Sequence, residues 1–310
     1  MAQCLFPFYV ERKLYFRQED RFTPVPCGKC PECLKRRVQA WAFRLEKEAL
    51  QHKSQYFITL TYDDRYLTET PNGYYTLVKR DVQLFFKRLR KSLPKDSKIK
   101  YYLCGEYGSN TYRPHYHAIL FGDENLTEQS IILAWICPYE ELYDPVESKL
   151  FHPPLGHVHF GDVQDGSIKY TIQYYDKGRL ERLQGDDDRL NEFALMSKGL
   201  GKNWLTNETA RFIRENPDKQ FIYSSGYKLA LPAYYRRRLY DYRGTETMVN
   251  QHPSYVIEMA EREIEKKQRQ LITKKLIDEK EQPDPADRSV HEDRKAAIDN
   301  YRRRYRKARC

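Results

Sequence analysis

Two stretches separated by a short turn constrain this chain's fold more than anything else in it. Ile99–Glu106 reads "IKYYLCGE", Arg113–Gly122 reads "RPHYHAILFG", and between them lies the turn-rich "YGSNTY". Parallel strands need a crossover of a dozen or more residues, so strands this close must form an antiparallel hairpin. A further stretch, "QYFITLTYDD", alternates with period two. Tyr56, Ile58, Leu60 and Tyr62 share one face, and Phe57, Thr59, Thr61 and Asp63 share the other. "GHVHFGDV" (Gly156–Val163) reads as one more strand.

Between these strands the period changes. "KRRVQAWAFRLEKEALQH" (Lys35–His52) spaces Val38, Trp41, Ala42, Leu45 and Ala49 as one side of a helix, and Lys79–Leu93 does the same with Val82, Phe85, Phe86 and Leu89. A shorter helix is expected around Thr127–Ile136, another over "GSIKYTIQYYDKGRL" up to Gly178, and a strand passing into a basic aromatic helix over Phe221–Tyr242. The order of elements predicts an α+β fold: a central antiparallel sheet with flanking helices on one face, an RRM-like palm, followed by a charged helical or partly disordered tail. The expected division is 1–53, an N-terminal cysteine-containing segment and helix; 54–245, the main domain; and 246–310, the tail. No GxGxxG or GxxxxGK[ST] loop is present, which disfavours dinucleotide enzymes and nucleotide-driven motors.

A formal net charge of +10 together with 26 Tyr fits a polyanionic partner and a working surface faced with rings. No apolar run approaches the roughly 20 residues of a spanning helix, and "MAQCLFPFYVERK" lacks the plan of a signal peptide, so a cytosolic location without membrane contact is expected. Seven cysteines, an odd number, make a poor disulfide framework. Cys27, Cys30 and Cys33 in "CGKCPEC", with Cys4 as a fourth thiolate, offer a structural Zn²⁺ site. Reduced loop cysteines are the equal alternative, and an iron–sulfur cluster is a weaker one.

His115 and His117 are two apart, so on a strand both imidazoles point one way while Tyr116 points the other. The hairpin brings Glu106 back beside His115. Two imidazoles and a carboxylate leave positions open on Mg²⁺ or Mn²⁺ for a phosphate oxygen and water. His157 and His159 have the same spacing but no obvious partner carboxylate other than Asp162, and read as an exposed strand face. Later, Tyr170, Tyr174 and Lys177 fall on one helical stripe, with Tyr175 about 100° off it. Two phenols a turn apart beside a cation suit covalent phosphoryl transfer, with tyrosinate attacking phosphorus and lysine stabilising the developing charge.

Together "FITLTY", "RPHYH" and "YTIQYYDK", in this order, resemble the three motifs of the HUH endonucleases, the rolling-circle replication initiators. "CGKCPEC", "GEYG" and "LPAYYRR" resemble more narrowly the initiators of microviruses, their gokushovirus branch in particular. The resemblance covers roughly Met1 to Arg238. It implies an antiparallel sheet with the metal pair His115 and His117 on a middle strand, Glu106 as the acidic ligand, and Thr59 and Thr61 at the active-site floor. It also implies Tyr170 and Tyr174 as paired nucleophiles, with Lys177 beside them. The implied activity is nicking and rejoining of single-stranded origin DNA through a 5′-phosphotyrosine link, in the cytoplasm of a bacterial host, with host helicase and polymerase machinery as further partners. The alternative is a non-catalytic single-strand-binding protein whose sheet aromatics stack bases. A two-histidine, one-carboxylate iron oxygenase is remote, because the chain shows HxH where that site needs HxD/E.

Overall fold

The structure is a computed structural model that describes residues 4–11, 22–163, 168, 171–172, 185–216, 221–224 and 226–239. Contacts divide the chain into two units. Among the described residues one unit holds Phe6–Lys202, and the other holds Cys4, Leu5 and Asn203 onwards. The tail expected from residue 246 lies outside the described residues.

The larger unit opens with an antiparallel pair, β1 (Phe8–Glu11) and β2 (Phe22–Val25), which leads into α1 (Pro31–Ala49). There follow β3 (Ser54–Leu60), α2 (Lys79–Ser92), β4 (Lys100–Tyr107), β5 (Pro114–Gly122) and the short α3 (Glu128–Ile132). A small hairpin, β6 (Leu142–Asp144) with β7 (Lys149–Phe151), precedes β8 (Val158–Gly161) and β9 (Phe193–Met196). The central sheet has the order β8-β3-β5-β4-β9, and every neighbouring pair is antiparallel. The expected β4–β5 hairpin is present, with Glu106 opposite His115.

The sheet carries helices on both faces, where the sequence predicts them on one. On one face Val82, Phe85, Phe86 and Leu89 of α2 pack against Ile58, Leu60, Leu103, Tyr116, Ala118 and Leu120, with Trp135 filling the gap beside them. On the other, Ala42 and Leu45 of α1 meet Tyr102, Ile119 and Phe121, joined by Ile168, Ile172 and Leu200. The reason is written in β5: "AILF" is apolar at consecutive positions, so both of its faces need cover. Each such side chain, fully buried, is worth roughly 1.5–3 kcal/mol.

Polar ties fix α1 on its face. The Glu48 carboxylate, 1% exposed, accepts from Lys100 Nζ (2.6 Å) and from the Gly201 N–H (2.7 Å), and His52 Nε2 lies 2.7 Å away. Burial pushes the Glu48 carboxyl up, but the hydrogen bonds from Lys100, His52 and Gly201 outweigh it and hold it below the ordinary range. Across the sheet, Tyr62 donates to Asp81 (2.8 Å), and Tyr116 accepts from the Val78 N–H (2.8 Å) and donates to its carbonyl (3.1 Å). These bonds set where α2 begins.

Three expected elements differ in detail. α1 starts at Pro31, earlier than Lys35, because proline's fixed φ suits the first helical position. The helix expected to reach Ile136 stops at Ile132. In the smaller unit the run from Phe221 is a hairpin of two strands, β10 (Phe221–Ser224) and β11 (Tyr227–Ala230), before α5 (Ala233–Leu239). Gly226, at φ +78°, makes the turn that splits it. The same unit contains α4 (Asn207–Glu215), whose Arg214 donates to the Leu239 carbonyl (3.2 Å), while Trp204 packs on Tyr235. Among the described residues no helix is long and apolar enough to cross a membrane.

Candidate metal centre

Strand register assembles the centre. His117 is opposite Thr59 on β3 and Cys104 on β4, while His115 is opposite Glu106. Alternation therefore sets His115, His117, Thr59 and Glu106 on one face, the face that also carries α1. His115 Nε2 lies 2.8 Å and His117 Nε2 3.1 Å from the same oxygen, Glu106 Oε1. The ligand atoms of the three residues all lie within 4.8 Å of one another.

Proton placement decides what this trio can hold. His115 Nδ1 is 3.1 Å from the Arg113 carbonyl, which can only accept, so Nδ1 carries the proton and the neutral ring aims the Nε2 lone pair at Glu106. His117 Nδ1 meets the Thr59 hydroxyl at 2.9 Å, which orients its Nε2 likewise. Two lone pairs facing one carboxylate repel unless a proton or a cation lies between them. Glu106 itself is 3% exposed, and its Oε2 is buried with no hydrogen-bond partner. A buried carboxylate oxygen left unsatisfied is costly, and a divalent cation would satisfy it. The residues therefore fit a metal, and the centre is compatible with metal binding.

The titration behaviour agrees. Burial pushes the Glu106 carboxyl upward, but the bonds to His115 and His117 and their charge outweigh it and hold it below the usual carboxylate range. For His115, burial works against the charged form, yet Glu106 raises its pKa above the ordinary histidine value. Glu192, just before β9, adds to that rise and was not visible as a candidate in the sequence. It sits outside any motif, and the strand that positions it is only four residues long.

Of the other predicted residues, Thr61 points away from the trio, its hydroxyl donating to the His157 carbonyl (3.3 Å). His157 and His159 are exposed, as expected; His159 is opposite Thr59, which puts this pair on the same sheet face as the trio. Phe57 stacks on His117, with ring centroids 5.7 Å apart. Cys27, Cys30 and Cys33 bring their sulfurs within 4.8 Å of one another, whereas Cys4 belongs to the smaller unit. Tyr170, Tyr174 and Lys177 lie outside the described residues. Of their segment, Ile168, Thr171 and Ile172 are helical and buried, and both isoleucines pack on the face that holds the trio.

An antiparallel palm with a histidine pair on its middle strand and a buried carboxylate beside it defines a candidate metal-dependent nucleic-acid-processing centre. Residues 55–179 match the family model of the ORF2-type replication-associated proteins. The replication-associated protein ORF4 of Chlamydia phage 1 is 27% identical over 71% of this chain and 55% of its own length. The replication-associated protein ORF2 of Spiroplasma virus 4 is 26% identical over 69% of this chain and 67% of its own length. The replication-associated protein VP4 of Bdellovibrio phage phiMH2K is 30% identical over 58% of this chain and 57% of its own length. The chain belongs with the replication-associated proteins of the microviruses. It spans just over half the length of the first of these relatives. No solved structure matches it.

Proposed function

We propose that the protein is a replication initiator that nicks single-stranded origin DNA by tyrosine attack and rejoins strands in rolling-circle replication of a phage genome. The observation that carries this reading is the buried Glu106 carboxylate, with two imidazole nitrogens converging on one oxygen and the other unsatisfied. His115, His117 and Glu106 would hold Mg²⁺ or Mn²⁺, and Thr59 orients His117. Such an ion supplies Lewis-acid polarisation of a scissile phosphate.

Tyr170 or Tyr174 attacks phosphorus: the Tyr Oη–P bond forms, the P–O3′ bond breaks, and the phenolic proton is delivered to the departing 3′ oxygen. The link is a 5′-phosphotyrosine, which conserves the energy of the broken bond for rejoining. Lys177 stabilises charge on the phosphate. Support comes from the packing of Ile168 and Ile172, in the same segment, against the face that holds the trio. Replication-associated names among the relatives agree with an origin-DNA substrate. Host helicase and polymerase machinery in the bacterial cytoplasm are the proposed partners for the copying that follows.

The test is a denaturing gel of protein incubated with origin single strand and Mn²⁺. A covalent adduct is expected, absent with EDTA, absent in the Tyr170→Phe, Tyr174→Phe double variant and retained in Tyr175→Phe. An adduct that survives in the double variant would rule out these nucleophiles. Binding without cleavage under every metal condition would leave the non-catalytic single-strand-binding reading in its place.

A further inference from the structure

Between β2 and α1 the chain makes a turn whose geometry serves a sulfur. The backbone N–H groups of Lys29 and Cys30 both donate to Cys27 Sγ, at 3.5 and 3.3 Å. Gly28, at φ +73°, supplies the left-handed step that allows this close return. Cys30 is the N-cap of α1 and Cys33 lies in its first turn; they are 4% and 6% exposed. The three sulfurs lie within 4.8 Å of one another. Arg37 Nη2 donates to the Gly28 carbonyl (3.1 Å), which brings a cation beside the turn.

Each of these features favours negative charge on sulfur. Amide donors stabilise a thiolate, the start of a 19-residue helix carries partial positive charge, and a nearby guanidinium adds to it. Three thiolates packed this closely repel unless a soft cation sits among them. Sulfur donors select Zn²⁺, whereas the imidazole and carboxylate donors of the trio suit a different ion.

We propose that Cys27, Cys30 and Cys33 hold a structural Zn²⁺, each thiol releasing its proton to solvent as the metal binds. The ion fastens the end of β2 to the start of α1, and α1 is the helix whose Ala42 and Leu45 cover the face that carries the histidines. This inference is independent of the nicking chemistry.

The experiment is elemental analysis of the full chain, purified with reductant and freed of loose metal. One zinc per chain is expected, released by a mercurial thiol reagent and retained in the His115→Ala, His117→Ala, Glu106→Ala triple variant. Cobalt-substituted protein is expected to show sulfur-to-cobalt charge-transfer absorption, whose intensity counts three thiolates, or four if Cys4 also binds; either count supports the site. A Cys27→Ser, Cys33→Ser variant should lose the zinc. Should it fail to fold, native wild-type protein still decides the matter: its turn cysteines resist a disulfide reagent before chelation and react after it. Folded wild-type protein carrying no zinc, carrying iron in its place, or losing zinc in the triple variant overturns the proposal.

Discussion

At Glu106 a single side chain sets the charge of the whole centre. Glu106→Gln keeps the shape and removes the charge, and should weaken Mn²⁺ binding by at least tenfold, about 1.4 kcal/mol, measured by titration calorimetry. Because imidazoles are borderline donors, Mn²⁺ should also bind more tightly than Mg²⁺ in the wild type. Thr59 tests orientation separately. Thr59→Val fits the strand but loses the hydroxyl at His117 Nδ1, and should cost about 10–100-fold in Mn²⁺ affinity while Thr59→Ser restores it. The pH dependence has a definite sign. His115 has a raised pKa, so the stability its pair with Glu106 contributes is present below the unfolded histidine value and lost as pH rises through the folded one. Glu106 has a lowered pKa, so its share is present above the unfolded carboxylate value and lost as pH falls through the folded one. In the metal-free protein the pair therefore stabilises between those two limits. Mn²⁺ competes with the His115 proton, so the rise in Tm on adding Mn²⁺ should grow as pH climbs past the raised His115 pKa. A rise independent of pH would show that the ion binds elsewhere.

Strands carry these residues, and one glycine decides how the outermost meets its neighbour. A Cβ on Gly156 would lie 2.2 Å from the Thr61 carbonyl oxygen and 2.8 Å from the Asp63 nitrogen, both backbone atoms. Gly156→Ala should loosen the junction where Thr61 and Asp63 bond to His157 and Leu155, destabilising by about 1–3 kcal/mol. Faster amide exchange at Thr61 and Asp63 with a lower Tm is the expected reading; unchanged exchange would refute the contact. The same level of structure explains what the sequence makes legible. Period-two alternation reveals β3 and its faces, and the short turn reveals β4 and β5 with Glu106 beside His115, because both signals are local. β9, four residues long, and its pairing with β4 far back in the chain are tertiary facts that no window contains. The cover on both faces could have been read from "AILF" in β5, whose consecutive apolar residues leave no wet side. Thr59 shows the limit most clearly: alternation gives its face, but its bond to His117 depends on the β3–β5 register.

Charge belongs to the molecule as a whole, and it bears on how DNA reaches the centre. With a net +10, much of the affinity for single strands should come from release of counterions, so log K should fall linearly with log salt. The final ten residues, "YRRRYRKARC", concentrate Arg302, Arg303, Arg304, Arg306, Lys307 and Arg309. If each meets a phosphate, removing residues 301–310 should flatten the slope by up to about 4, at roughly 0.7 per contact on a single strand. The proposed chemistry rests on residues between Thr59 and Lys177, so adduct yield at saturating DNA should stay the same while the concentration needed to reach it rises. Fluorescence anisotropy of a labelled oligonucleotide across a salt series measures the first, and a denaturing gel measures the second. An unchanged slope would mean that these side chains do not touch phosphate. A lost adduct at saturation would mean that the terminus contributes to the chemistry itself, because affinity no longer limits the yield under that condition.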